Sequence, residues 1–115
     1  MFSKRKLIAL GLLAGCSLLQ GVAMAQTAAA PATIVRIHTG WDAEQFRIET
    51  SAGRPVLNPA NCLRTDGYIL HSSFAGYQTN YQLVLAAYAQ NKPVTVTISN
   101  STCWNDRPVI LGLAF

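Results

Sequence analysis

Charge is scarce in this sequence, and the motifs that usually announce catalysis are missing. Asp, Glu, Lys and Arg make up 12% of the 115 residues, and there are two histidines. No G-x-S-x-G, paired carboxylate or Cys-His arrangement is visible, so nucleophilic and general acid–base hydrolysis lack their parts and no enzyme is expected. C-x-x-C and H-x-x-x-H spacings are absent too, which removes the common zinc frameworks. The length leaves room for one small domain; a doubly wound nucleotide fold or a TIM barrel needs far more chain. Beyond residue 25 no apolar run approaches the roughly 18 residues of a membrane-crossing helix, since 82–89 and 109–115 are both short.

What is present begins with an export signal. Lys4, Arg5 and Lys6 form a charged head, 7–15 an apolar middle, and Ala23-Met24-Ala25 a small-residue cleavage site. Residues 1–25 therefore read as a signal peptide, and cleavage leaves 26–115, a mature chain of 90 residues bound for the periplasm or the exterior. A second exit competes. Leu13-Ala14-Gly15-Cys16 matches the pattern of the lipoprotein-processing peptidase, and cleavage there would leave the chain lipidated at Cys16 and tethered to a membrane. Residues 17–22 stay apolar and run straight into the Ala-Met-Ala site, which favours ordinary cleavage.

Removing the signal changes the charge balance. Three of the nine basic residues leave and all five acidic ones stay, so the mature chain carries +1. Arg36, Arg47, Arg54, Arg64 and Arg107 are scattered along it, which gives no footprint for a phosphate backbone, and no nucleic-acid partner is expected. Without Cys16, Cys62 and Cys103 remain as an even pair in an oxidising compartment, most simply one disulfide. Closing a loop of that length stabilises a fold by about 4 kcal/mol on the chain-entropy model. The competing metal reading would need His38 and His71 to join the cysteines, at the wrong spacing; neither metal nor cofactor is expected.

Residues 26–32 are Ala- and Pro-rich without periodicity and read as a flexible lead-in to a domain spanning 33–115. The β-branched stretch 33–39 is the first strand expected, with Val35, Ile37 and Thr39 on one face and Ile34, Arg36 and His38 on the other. Residues 45–50 alternate Phe46 and Ile48 against Arg47 and Glu49, as a half-buried strand paired in a hairpin with the first. A turn-rich connection over 51–61, with Val56 and Leu57 against the core, leads to Asp66-Gly67 and a strand over 68–71. Tyr81, Val84, Leu85 and Tyr88 line one face of a helix capped by Thr79 or Asn80 and stopped at Asn91-Lys92-Pro93. Strands over 94–99 and 108–115 follow, separated by a polar turn. The result is mainly β: a five-stranded, OB-fold-like small barrel with one helix between its third and fourth strands. An open α+β sheet is the alternative.

Specific residues then point to a family. Ile34-Val35-Arg36-Ile37-His38-Thr39-Gly40, Asp42, and Phe46-Arg47-Ile48-Glu49 resemble the first hairpin of the receptor-binding B subunits of subtilase cytotoxin and its pertussis-like and typhoid-toxin relatives. Ser51-Ala52-Gly53 lies where those chains turn, and Cys62 where they have a cysteine. Tyr81, Leu85, Tyr88, Pro93 and Val94 have the spacing of their helix and next strand, and Leu111-Gly112-Leu113 is similar to their last. The resemblance implies an exported OB-fold that assembles as a homopentamer, binds surface glycans and carries a catalytic A subunit. This chain departs from the pattern. Arg47 stands where the toxins have a cysteine, leaving Cys103 as the partner of Cys62. The serine that contacts sialic acid falls on Ala30 and the glycan-facing tyrosine near Ile98, so only a polar position at Thr50 survives.

The ligand-binding candidates are accordingly Trp41, Thr50, Ser51 and Trp104, the indoles being placed in turns where each either stacks on a sugar or plugs an end of the barrel. Tyr81 and Tyr88 read as core residues whose polar tips suit a subunit boundary, and the two histidines as hydrogen-bonding groups within the fold. The expected function is a non-catalytic exported module that oligomerises and binds a glycan or protein; the alternative is a periplasmic structural or inhibitory protein of the same fold without a sugar ligand.

Overall fold

The computed structural model describes residues 25–41 and 43–115. The signal sequence, apart from Ala25, and with it Cys16 and the alternative lipidation site, lies outside the described residues, as does Asp42. Seven elements follow in order: β1 (Gln26–Ala28), β2 (Ala32–Thr39), β3 (Gln45–Thr50), β4 (Tyr68–His71), α1 (Tyr77–Gln90), β5 (Pro93–Trp104) and β6 (Arg107–Ala114). The strands form one six-stranded sheet whose hydrogen bonds run in a ring. β2 pairs with β3, β3 with β4, β4 in parallel with β6, β6 with β5, and the start of β5 returns to the start of β2. Five strands were expected; the sixth is β1.

β1 falls in the segment expected to be a patternless lead-in. Its pairing with β5 aligns Gln26 with Ser99 and Ala28 with Thr97, and the bonding continues through the Ala29 amide to the Val96 carbonyl at 2.8 Å. An edge strand needs only backbone groups to pair, so an Ala-rich stretch without alternation serves, and hydrophobic pattern gives no warning of it. Thr27 Oγ1 adds a hydrogen bond to Asn100 Oδ1 at 2.5 Å.

A bulge reverses the faces of β2. Ile34 aligns with Thr50 but Arg36 with Glu49, so Val35 is an extra residue and is left 54% exposed. Ile34 is buried before the bulge and Ile37 packs on the core after it, whereas strict alternation had placed them on opposite faces. Arg36 and His38 then share the outer face with Arg47 and Glu49 of β3. Phe46 and Ile48 are fully buried, as their alternation implied. β4 follows Gly67, where a Cβ would lie 2.6 Å from the Ile48 carbonyl oxygen, so the turn before β4 tolerates no side chain.

The helix starts earlier than its spacing predicted and turns a different face inward. Gly76, at φ 77°, precedes Tyr77, and no side chain caps the start. Asn80, Val84 and Ala87 are buried and Tyr77 and Tyr81 pack on the core, whereas Leu85 and Tyr88 are 45% and 47% exposed. Residues 83–87 are apolar on all sides, so spacing alone does not select the face; Asn80 helps decide it by donating to the Leu111 carbonyl of β6. Asn91, in the left-handed conformation, ends the helix where expected, its amide reaching the Ala87 and Tyr88 carbonyls.

β5 runs on to Trp104 through the polar stretch expected to be a turn. Only Asn105 and Asp106, with φ of 47° and 65°, make the reversal into β6, the left-handed pair that a tight hairpin requires. The long arm of β5 brings Cys103 to Cys62, and the two form a disulfide with Cα atoms 5.7 Å apart. Asn58 fixes the other side: its side chain accepts from the Cys62 amide and donates to the Cys62 carbonyl, both at 2.8 Å. In the connection over 51–61, Val56 joins the core but Leu57 stays 40% exposed. Among the described residues no helix is long and apolar enough to cross a membrane.

Candidate functional site

Two concavities contain the residues singled out from the sequence, and they lie in different parts of the molecule. The first, of about 300 Å³, opens between β1 and the turn after β3. Thr50, at the end of β3, is 7% exposed and lines it. Ala30 lies in the same wall, so two positions that the toxin resemblance aligns with sugar contacts meet there. Ile98 does not; it is fully buried in the core. Ser51 turns away, its hydroxyl accepting from the Thr33 amide at 3.0 Å. The floor is Val94, Val96, Val56 and Tyr68, whose hydroxyl accepts from the Leu57 amide at 3.3 Å. Burial pushes the Tyr68 phenol up, keeping it neutral at ordinary pH. No charged side chain lines this cavity.

Trp104 and Trp41 occupy different settings. Trp104 is the last residue of β5 rather than a turn residue. Its Nε1 donates to Gln45 Oε1 at 2.9 Å, and its ring meets His71 at 4.4 Å between centroids and Phe74 edge-on at 5.5 Å. The indole is thus held on three sides, and it packs against the core. Trp41, in the turn between β2 and β3, is 40% exposed and lines a second concavity of about 300 Å³ with His38, Arg47, Arg64, Asn105 and Arg107.

That concavity is where the fold gathers charge that is dispersed in sequence. The bulged β2–β3 hairpin sets Arg36 and His38 beside Glu49, and Glu49 also takes Arg54 Nη2 at 2.7 Å and lies 3.6 Å from Arg47 Nη2. Asp66 binds Arg47 Nη1 at 2.9 Å and Arg107 through Nε at 2.6 Å and Nη2 at 3.0 Å. Arg64 lines the same hollow, and its backbone amide donates to the Asp106 carbonyl at 2.8 Å. All five arginines beyond residue 25 therefore share one face, which corrects the reading of them as scattered. The sequence signal was weak, because strand pairing over |i−j| of 11 or more brings them together.

Electrostatic consequences follow from the pairing. The Arg107 guanidinium, with Arg47 beside it, holds the Asp66 carboxyl down from 3.8 to about 2. Hydrogen bonding to Arg54, then to His38, lowers Glu49 despite the opposing cost of its partial burial. His38 Nε2 sits 2.9 Å from Glu49 Oε2 and, facing a carboxylate, must donate. His71 Nδ1 accepts from the Ser73 amide at 3.0 Å. Both histidines thus bond within the fold, as expected. Among the described residues no three His, Cys, Asp or Glu side chains gather as a metal site would need.

Comparison with known proteins gives no match: no family model, no curated protein and no solved structure is similar to this chain.

Proposed function

We propose that this chain is an exported, non-catalytic binding module on an OB-type barrel, similar to the B subunits of the subtilase and pertussis-like toxins, that self-assembles and binds a glycan or protein partner. The carrying observation is the strand circuit β2-β3-β4-β6-β5-β2, with β4 parallel to β6 and the helix between β4 and β5. An OB barrel has this connectivity. The Cys62–Cys103 bridge is compatible with an oxidising compartment, and an export signal over residues 1–25 would deliver the chain to the periplasm or beyond. Exposed apolar residues support self-assembly: Leu85 and Tyr88 on α1, Leu111 on the adjoining β6, and Phe115 after it.

Charge decides which concavity suits an acidic ligand. The Thr50 cavity has no counter-charge in its wall and alanine at position 30, so it has lost what an acidic sugar requires there. The hollow beside Trp41 has both an exposed indole and cations. A glycan array probed with purified, disulfide-bonded protein tests the reading. Binding to a defined set of glycans is expected; a protein that ignores every sugar contradicts it and favours a structural or inhibitory role on the same fold.

A further inference from the structure

We infer that the hollow between Trp41 and Arg64 is a binding site for a single acidic sugar unit, its carboxylate or sulfate held by Arg64 and its ring face laid on the Trp41 indole. This deepens the reading of the chain as a binding module and depends on no ring of subunits, since every residue involved belongs to one chain.

The argument rests on which groups are already spent. Arg47 and Arg107 are each 8% exposed, and Asp66 and Glu49 occupy their guanidinium groups. They form a fixed positive wall. Arg64 is exposed in the same hollow, and among the described residues its side chain has no hydrogen-bond or ion-pair partner. Opposite an anion its fork supplies two parallel charge-assisted hydrogen bonds. Trp41 is 40% exposed beside it, whereas Trp104 has its Nε1 on Gln45 and its faces on His71 and Phe74. A free anion would satisfy Arg64 and leave the indole bare; an uncharged sugar would cover the indole and leave the cations unmatched. A ring carrying an oxyanion does both.

Size and charge pattern exclude a long polyanion. The hollow, about 300 Å³, suits one monosaccharide unit. Around it Glu49, Asp66 and Asp106 are interleaved with the five arginines, so a nucleic-acid strand or an anionic bilayer extended across the face would meet carboxylates as well as cations.

NMR titration of the disulfide-bonded protein tests this with three probes: methyl glucuronide, methyl glucoside and acetate. The glucuronide is expected to shift the Trp41 indole N–H while leaving that of Trp104 in place, and to bind about tenfold more tightly than the glucoside. Arg64→Ala and Trp41→Ala, both exposed substitutions, should each weaken it about tenfold, with Arg64→Lys intermediate. Acetate should bind weakly and be indifferent to Trp41→Ala. Glucoside binding as tight as glucuronide, binding insensitive to both alanine variants, or shifts confined to the Thr50 cavity would overturn the acidic-sugar site while leaving the binding module intact. No binding of any glycan, here or on the array, removes both.

Discussion

Asp66 has the densest set of charge contacts on the molecule, three guanidinium nitrogens within 3.0 Å from two arginines that are nearly buried. Its carboxyl titrates at about 2 when folded and near 3.8 when free, so its contribution to stability is complete above the higher value and lost as pH falls through the lower. Glu49, also lowered, acts in the same sense. Urea unfolding followed from neutral pH downward should therefore show stability declining between about 4 and 2. Asp66→Asn should cost about 2 kcal/mol at neutral pH and flatten most of that slope. At this scale the sequence revealed the histidines well: a lone His on a strand is usually a hydrogen-bonding group, and His38 and His71 are. The arginine face was hidden, because Arg47 meets Asp66 and Arg107 only after three strands have paired.

For elements, legibility followed the amount of pattern each carries. The β3 strand was readable because Phe46 and Ile48 alternate with Arg47 and Glu49. β2 was readable as a strand but not in its facing, since the Val35 bulge that brings Ile34 and Ile37 to one side leaves no mark in composition. β1 was illegible, its pairing being carried by backbone groups, and the polar end of β5 resembled a turn because it projects beyond the core. The helix shows the same limit. Val84 is fully buried and Leu85 is 45% exposed, although the two are adjacent and similarly apolar. Val84→Ala should lower stability by about 2 kcal/mol and Leu85→Ala by less than about 0.5 kcal/mol, measured by chemical denaturation of the same preparation. The disulfide ties the turn-rich connection to the far end of β5 across a separation of 41 residues. Replacing both Cys62 and Cys103 with serine should cost about 4 kcal/mol in the same assay.

Seen whole, the molecule divides its surface by chemistry. One face collects the arginines around Glu49 and Asp66, with Trp41 at its hollow; α1 and the end of β6 leave Leu85, Tyr88, Leu111 and Phe115 uncovered. A small monomer gains nothing from several large exposed apolar side chains, whereas copies that meet through them remove that area from water at about 25 cal/mol per Å². The strand circuit and these two surfaces together make the case for a module that assembles and presents binding hollows outward. Its mass in solution tests this most directly. Light scattering on the disulfide-bonded protein lacking residues 1–25 should give a multiple of the chain mass, five by resemblance to the toxin B subunits, with Leu85→Glu reducing it to that of one chain. A monodisperse monomer at every concentration examined would contradict the account.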